Sequence, residues 1–195
     1  LAGLLVALAL DAGLRSQKTL RAAFLSTTMI PLVICGYVWS YIYHPEYGLG
    51  PVLSNMGLGF LHQNWLGDPD LVLYSVVFVS VWQITGKYMI IYLAGLQTVP
   101  VELYEVAQID GAGPLRRFFR ITFPLIIPAL TIGILNAAIF SLKVFDEIYA
   151  MTRGGPGFAS ETMSTLLFSQ TFFYSGRAGL GSAISVLLFL TVLFF

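Results

Sequence analysis

Val99–Thr122 reads VPVELYEVAQIDGAGPLRRFFRIT, a polar stretch set between two long apolar ones. Pro100 is a good first helical residue. After it, Glu102, Glu105 and Gln108 recur along one side of a helical pattern, and Leu103, Val106 and Ala107 lie on another. Gly111 ends the helix, because glycine takes the left-handed cap conformation without strain. Asp110 is placed to bond nearby backbone amides and hold the turn. Pro114 opens a second short helix, with Arg116, Arg117 and Arg120 on its polar side and Leu115, Phe118 and Phe119 on its apolar side. Two short amphipathic helices at a membrane surface need cover. Either a partner protein supplies it, or the pair is an ordinary interfacial hairpin lying on lipid headgroups, and the residues alone leave both open.

The flanks decide the fold class. Only 10% of the 195 residues are charged, against about 25% in a soluble domain. Mean hydropathy is +0.81. This is an all-α polytopic membrane protein by composition. The formal net charge is +0, which gives no sign of a nucleic-acid partner. Cys35 is the single cysteine, so no internal disulfide forms, and it reads as a small buried hydrophobe. The chain lacks a starting Met and stops inside an apolar run, so a fragment truncated at both ends is expected.

Hydropathy places spans at about 1–10 (truncated), 22–43, 70–96, 123–149 and 180–195 (truncated), since about 20 apolar residues cross a bilayer. Pro31 predicts a kink in the second. Trp39, Tyr41 and Tyr43 predict an aromatic belt at its far end, and Trp65 fits the same interface. Leu53, Met56 and Phe60 predict a short interfacial helix in the loop 44–69. Residues 150–177 read as a polar connector. Ala178, Gly179, Gly181, Ser182 and Ser185 give the last span a small-residue face for close helix packing. Arg15, Lys18 and Arg21 in one connector and Arg116, Arg117 and Arg120 in the loop 99–122 put both on the cytoplasmic side by the positive-inside rule.

No catalytic constellation appears. Gly86-Lys87 is the nearest approach to a phosphate loop, but Val81 and Tyr88 stand at the other defining positions. His44 and His62 lack ligand spacing and read as solvated loop histidines, with no metal expected. With no nucleophile and base, the chain is expected not to be an enzyme, and transport driven from elsewhere is the leading class.

Glu105-Val106-Ala107-Gln108-Ile109-Asp110-Gly111-Ala112, continuing to Phe119, Ile121, Pro124 and Pro128, resembles the EAA signature of the membrane subunits of bacterial ABC importers. One departure is apolar-for-apolar: Val106 stands where the signature has its first Ala. Phe145–Tyr149, Thr152-Arg153-Gly154-Gly155-Pro156, Pro45–Leu49 and Trp65-Leu66 are similar to the maltose-type, sugar-transporting branch. The resemblance implies a permease in the bacterial cytoplasmic membrane, coupled through the loop 99–122 to a separate ATP-binding cassette ATPase. Its other implied partners are a second, related permease subunit and an extracytoplasmic solute-binding protein. ATP is then hydrolysed by the partner subunit and no cofactor is bound by this chain. The resemblance assigns coupling to Glu105, Ala107, Asp110 and Gly111.

The substrate path is less legible. An ionisable residue within a span costs roughly 2.5–3.5 kcal/mol on insertion scales and so faces a polar interior, which singles out Lys87. Lys143 lies nearer a helix end, where it snorkels or pairs with Asp146 or Glu147. Asn136 and Ser141 offer neutral hydrogen bonds suited to a sugar, and helix–helix polar packing is the alternative for each. The expected cargo is a carbohydrate or related polyol. The alternatives are an energy-independent channel or secondary transporter, or the same importer class with a sugar-phosphate cargo such as a glycerol phosphate.

Overall fold

Residues 1–11 and 16–194 are described by a computed structural model, and among them every regular element is helical. In chain order these are α1 (Ala2–Asp11), α2 (Gln17–Thr28), α3 (Leu32–Ile42), α4 (Leu49–Asn55), a 3-10 turn (Gly59–Leu61), α5 (Val72–Gln97) and α6 (Val101–Ile109). They continue as α7 (Pro114–Arg117), a π turn (Phe118–Thr122), α8 (Phe123–Leu142), α9 (Asp146–Met151), α10 (Met163–Phe172) and α11 (Ala178–Phe194). Arg15 lies outside the described residues.

Among the described residues, two helices are long and apolar enough to cross a membrane: α5 with 26 residues, and the continuous run Pro114–Leu142 with 29. At 1.5 Å per residue these reach about 39 and 44 Å, more than the ~30 Å of hydrocarbon. A third crossing exists only if α2 and α3 count as one span, and these two are bent by 97°. The sharp break replaces the kink expected over 22–43. Pro31 takes φ −56°, ψ 136°, an extended conformation that caps α3 rather than continuing α2.

The chain divides into two compact units. The first comprises Leu1–Met29 and Trp82–Ala138. Its core gathers Ala7 and Leu10 of α1, Met89, Tyr92 and Leu96 of α5, and Ile126 of α8. Helices approach closely where a side chain is missing. A Cβ at Gly3 would lie 2.8 Å from that of Tyr88, and one at Gly86 would overlap the Phe24 carbonyl oxygen of α2. In lipid this contact replaces the hydrophobic driving force that water supplies to a soluble core.

The second unit comprises Ile30–Val81 and Ile139–Phe195. Here α3 packs on α9 and α10 on α11. Gly36 faces Ala150, and Gly181 faces Thr171. On α11 the buried positions are Gly181 and Ile184, while Ala178, Gly179, Ser182 and Ser185 stay exposed. The small-residue face anticipated there therefore reduces, within this unit, to Gly181. Trp39, Tyr43 and Trp65 do not simply ring an interface. They pack on one another (5.3–5.9 Å between ring centroids, with Phe78) and line an apolar cavity of about 420 Å³.

Two boundaries differ from those read in the sequence. The helix expected to run to residue 149 ends at Leu142, and a separate helix begins at Asp146. Thr162 Oγ1 donates to the Val144 carbonyl (3.1 Å), satisfying a group the broken helix leaves free. Asp146 and Glu147 then sit in the first turn of α9, where negative charge meets the positive end of the helix dipole. Lys143 thereby lies in the turn after α8 and outside the helix that holds both carboxylates, so no same-helix pair forms. Within the supposed polar connector 150–177, Thr162 and Thr165 form a reciprocal capping box that starts α10.

Candidate functional site

The loop 99–122 lies within the first unit. Pro100 is the N-cap of α6, one position before the expected start. Glu102 lies in the first turn, where its charge favours the helix. The C-terminus closes as a Schellman motif. Gly111 N–H donates to the Gln108 carbonyl (3.1 Å) and Ala112 N–H to the Ala107 carbonyl (2.9 Å). Gly111 has φ +70°, the left-handed value that glycine adopts freely. Asp110 does not bond the turn amides as expected. Its carboxylate instead lines a groove of about 400 Å³ with Ala107, Arg116, Arg117, Arg120 and Ile121.

The second half of the loop is not a separate short helix. Pro114 occupies N1 of α7, and the chain runs on unbroken through the π turn into α8. Prolines lack an N–H, so Pro124 leaves the carbonyl four residues back without its helical donor. The wider π turn lies over that region and keeps the helix continuous. Tyr104 of α6 and Thr122 of the π turn meet hydroxyl to hydroxyl at 2.8 Å. This pair ties the loop helix to the long helix. Sequence reading missed it, because the partners are 18 residues apart. A Tyr104→Phe change deletes one bond and leaves the ring, so a destabilisation of about 1 kcal/mol is expected, read as faster amide exchange over 101–109.

No residue of α6 is buried. Ile109 is 86% exposed and Val106 57%. Glu105 and Asp110 are exposed, and Ala107 is half-buried. A nine-residue helix with both its polar and apolar faces uncovered cannot be stable by propensity alone, since isolated helices below ~12–15 residues are marginal. It is held at one end by its Schellman turn, in its middle by Tyr104, and presents the rest outward.

The chain matches the family described as binding-protein-dependent transport system inner membrane component over residues 1–195. It belongs to that family. The chain is 41% identical over 194 residues to the trehalose/maltose transport system permease protein MalF of Thermococcus litoralis, covering 99% of this chain and 64% of that one. It is 34% identical over 187 residues to the sulfoquinovosyl glycerol transport system permease protein SmoG of Agrobacterium fabrum, covering 96% and 60%. The chain thus spans 60–64% of these relatives' length. A crystal structure of a bacterial ABC transporter involved in the import of the acidic polysaccharide alginate superimposes with TM-score 0.86 at 24% identity, over 99% of this chain and 69% of that one. That likeness shows the fold: this chain shares the all-α fold of that transporter's membrane chain.

The residues expected along a substrate path fall in different parts of this fold. Lys87 and Asn136 are exposed in the first unit, with the Lys87 ammonium 5.9 Å from the Tyr88 ring centroid. Ser141 is in the second unit and exposed. Glu147, read in the sequence as a partner for Lys143, is 1% exposed and within hydrogen-bond reach of Ser80 Oγ at 3.4 Å. Burial pushes its carboxyl above the usual carboxylate range. His62 is engaged through both ring nitrogens, by Ser54 Oγ and the Pro45 carbonyl at 3.1 Å each, so it is a structural brace of its loop.

Proposed function

We infer that the chain is the membrane-spanning part of a permease subunit in an ATP-driven importer, and that its cargo is a carbohydrate or related polyol. The observation that carries the reading is α6: an uncovered amphipathic helix, fixed to the long helix by Tyr104 and by the Gly111 turn. It is the element through which a cytoplasmic ATPase pushes on the spans. Glu105 supplies a free carboxylate, Ala107 a small face, and Asp110 and Gly111 the fixed turn. The loop 99–122 faces the cytoplasm, as its three arginines require. A solute-binding protein delivers the cargo from the other side and biases the equilibrium between inward-open and outward-open states. A second, related permease completes the path. Lys87, Asn136 and Ser141 contribute polar groups to that path. The names of the relatives, a trehalose/maltose system and a sulfoquinovosyl glycerol system, support sugar-like cargo.

The test is reconstitution of the full-length permease with its companion permease, ATPase and binding protein, following ATP hydrolysis against a panel of sugars. Stimulation by one sugar supports class and cargo together. Absence of any associated ATPase leaves a channel or secondary transporter and ends the reading. Lys87→Met is expected to lower uptake several-fold with unchanged membrane abundance; unchanged uptake removes Lys87 from the path.

A further inference from the structure

We propose that the groove beneath the coupling helix is a binding site for the phosphate headgroup of an anionic phospholipid. Three guanidiniums and one carboxylate line it, which leaves a net charge of +2 (three minus one). Among the described residues none of Arg116, Arg117 and Arg120 has an ion-pair or side-chain hydrogen-bond partner. Arg117 is half-buried, and unpaired guanidinium at partial burial calls for an anion. Guanidinium forks match phosphate oxygens two at a time, which a lone ammonium does not do.

What selects a lipid over a free anion or an acidic protein is the surface that continues from the groove. Pro114–Leu142 is 29 residues, about 44 Å, so when its middle sits in the hydrocarbon both ends emerge at headgroup depth. Arg116, Arg117 and Arg120 occupy that first stretch. Only 11% of this helix's most apolar window is buried, against 50% for α5. Leu115, Phe119 and Phe123 are exposed beside the arginines, and Ile127 follows one turn on. The helix therefore presents a cationic pocket continuous with a bare apolar flank, the two halves of an anionic amphiphile. Juxtamembrane basic clusters bind such lipids through this pairing of charge and depth.

The occupant would also touch the coupling element, because Ala107 and Asp110 form the other wall. A headgroup there braces α6 against the long helix, adding to the Tyr104–Thr122 bond. The site rests only on Pro114–Leu142 crossing the bilayer. Its effect on coupling rests in addition on α6 being the ATPase's contact.

The experiment uses the complete complex in mixed vesicles of phosphatidylcholine and phosphatidylglycerol, purified and washed in detergent, with retained lipid quantified by mass spectrometry. The wild type is expected to retain phosphatidylglycerol selectively. Arg117→Gln/Arg120→Gln should lose that selectivity on the order of tenfold, and a triple Arg→Lys variant, which keeps charge and insertion, should fall between them. Equal retention by wild type and the Gln variant overturns the proposal. So does loss of the ATPase from the Gln variant with lipid retention unchanged, which would assign the groove to an acidic surface of the ATPase. If the wild type binds no ATPase yet retains the lipid through these arginines, the coupling reading fails and the lipid site stands.

Discussion

Uptake by a Gly111→Val permease is expected to fall to background while the protein remains inserted at normal abundance. The residue sits at φ +70°, and nothing lies within 4 Å of the position its Cβ would take. The penalty is therefore conformational and not steric. A residue with a side chain pays about 1–2 kcal/mol in this region, and a β-branched one is a marked outlier there. The shift in population is roughly five- to thirtyfold. The chain escapes by leaving the left-handed region, which breaks the bonds from Gly111 and Ala112 to the carbonyls of Gln108 and Ala107. Then α6 loses its fixed angle to the long helix, and in the proposed coupling role a push delivered to α6 no longer reaches the spans. Gly111→Asn, which tolerates the left-handed region, should retain most uptake, with Gly111→Ala between the two. A complementary change, Glu105→Lys, reverses an exposed charge without straining the backbone and should release the ATPase from the purified complex. Measured uptake in vesicles, alongside sugar-stimulated ATP hydrolysis, separates the outcomes. Normal uptake by Gly111→Val would remove the turn from the coupling mechanism.

Gly111 was legible in the sequence because its requirement is local: a polar helix, an aspartate, and a residue free to adopt positive φ. The long helix α5 was legible for a similar reason, since crossing length is a property of one segment. What could not be read depended on partners far along the chain. Pro31 signals a disruption, but whether it yields a kink or a 97° break is set by what each half packs against. Hydropathy placed the start of a span at 123, whereas the π turn carries the helix through from Pro114. The end at Leu142 was not read from Lys143, Asp146 and Glu147 just beyond it, and the Thr162 hydroxyl that bonds the Val144 carbonyl there lies 18 residues downstream. One signal was present and unused: threonine is a favoured N-cap residue, and Thr162 marks the start of α10. For the candidate site, the exposed face and turn were foreseen, while the Tyr104–Thr122 tie and the buried Glu147 were not.

A Gly86→Val chain is expected to lose most of its folded yield, whereas Gly179→Ala should leave stability unchanged or raise it slightly. Both glycines lie in helices, so composition and propensity treat them alike, and replacing a helical glycine by alanine gains about 0.5–1 kcal/mol where space allows. Gly86 has no such space. Its Cβ would overlap the Phe24 carbonyl oxygen and come within 2.7 Å of the carbonyl carbon and 3.1 Å of Thr28 Cγ2. The obstacle is backbone, and the Phe24 carbonyl is also held by Thr27 Oγ1 at 2.8 Å, so it cannot rotate aside as a side chain would. Relief requires moving α2 away from α5 along the crossing. Overpacking costs about 1–3 kcal/mol and more against rigid neighbours, out of a total stability of about 5–15 kcal/mol. Separation of α2 from α5 also forfeits the close van der Waals contact that stands in for hydrophobic association in lipid. Gly179, by contrast, has nothing within 4 Å of its Cβ position. The midpoint of thermal unfolding in detergent, with the yield of monodisperse full-length protein, measures both variants. Equal midpoints for Gly86→Val and the wild type would mean that α2 does not cross α5 at Gly86, whereas the expected contrast between two helical glycines can arise only from what lies opposite each of them.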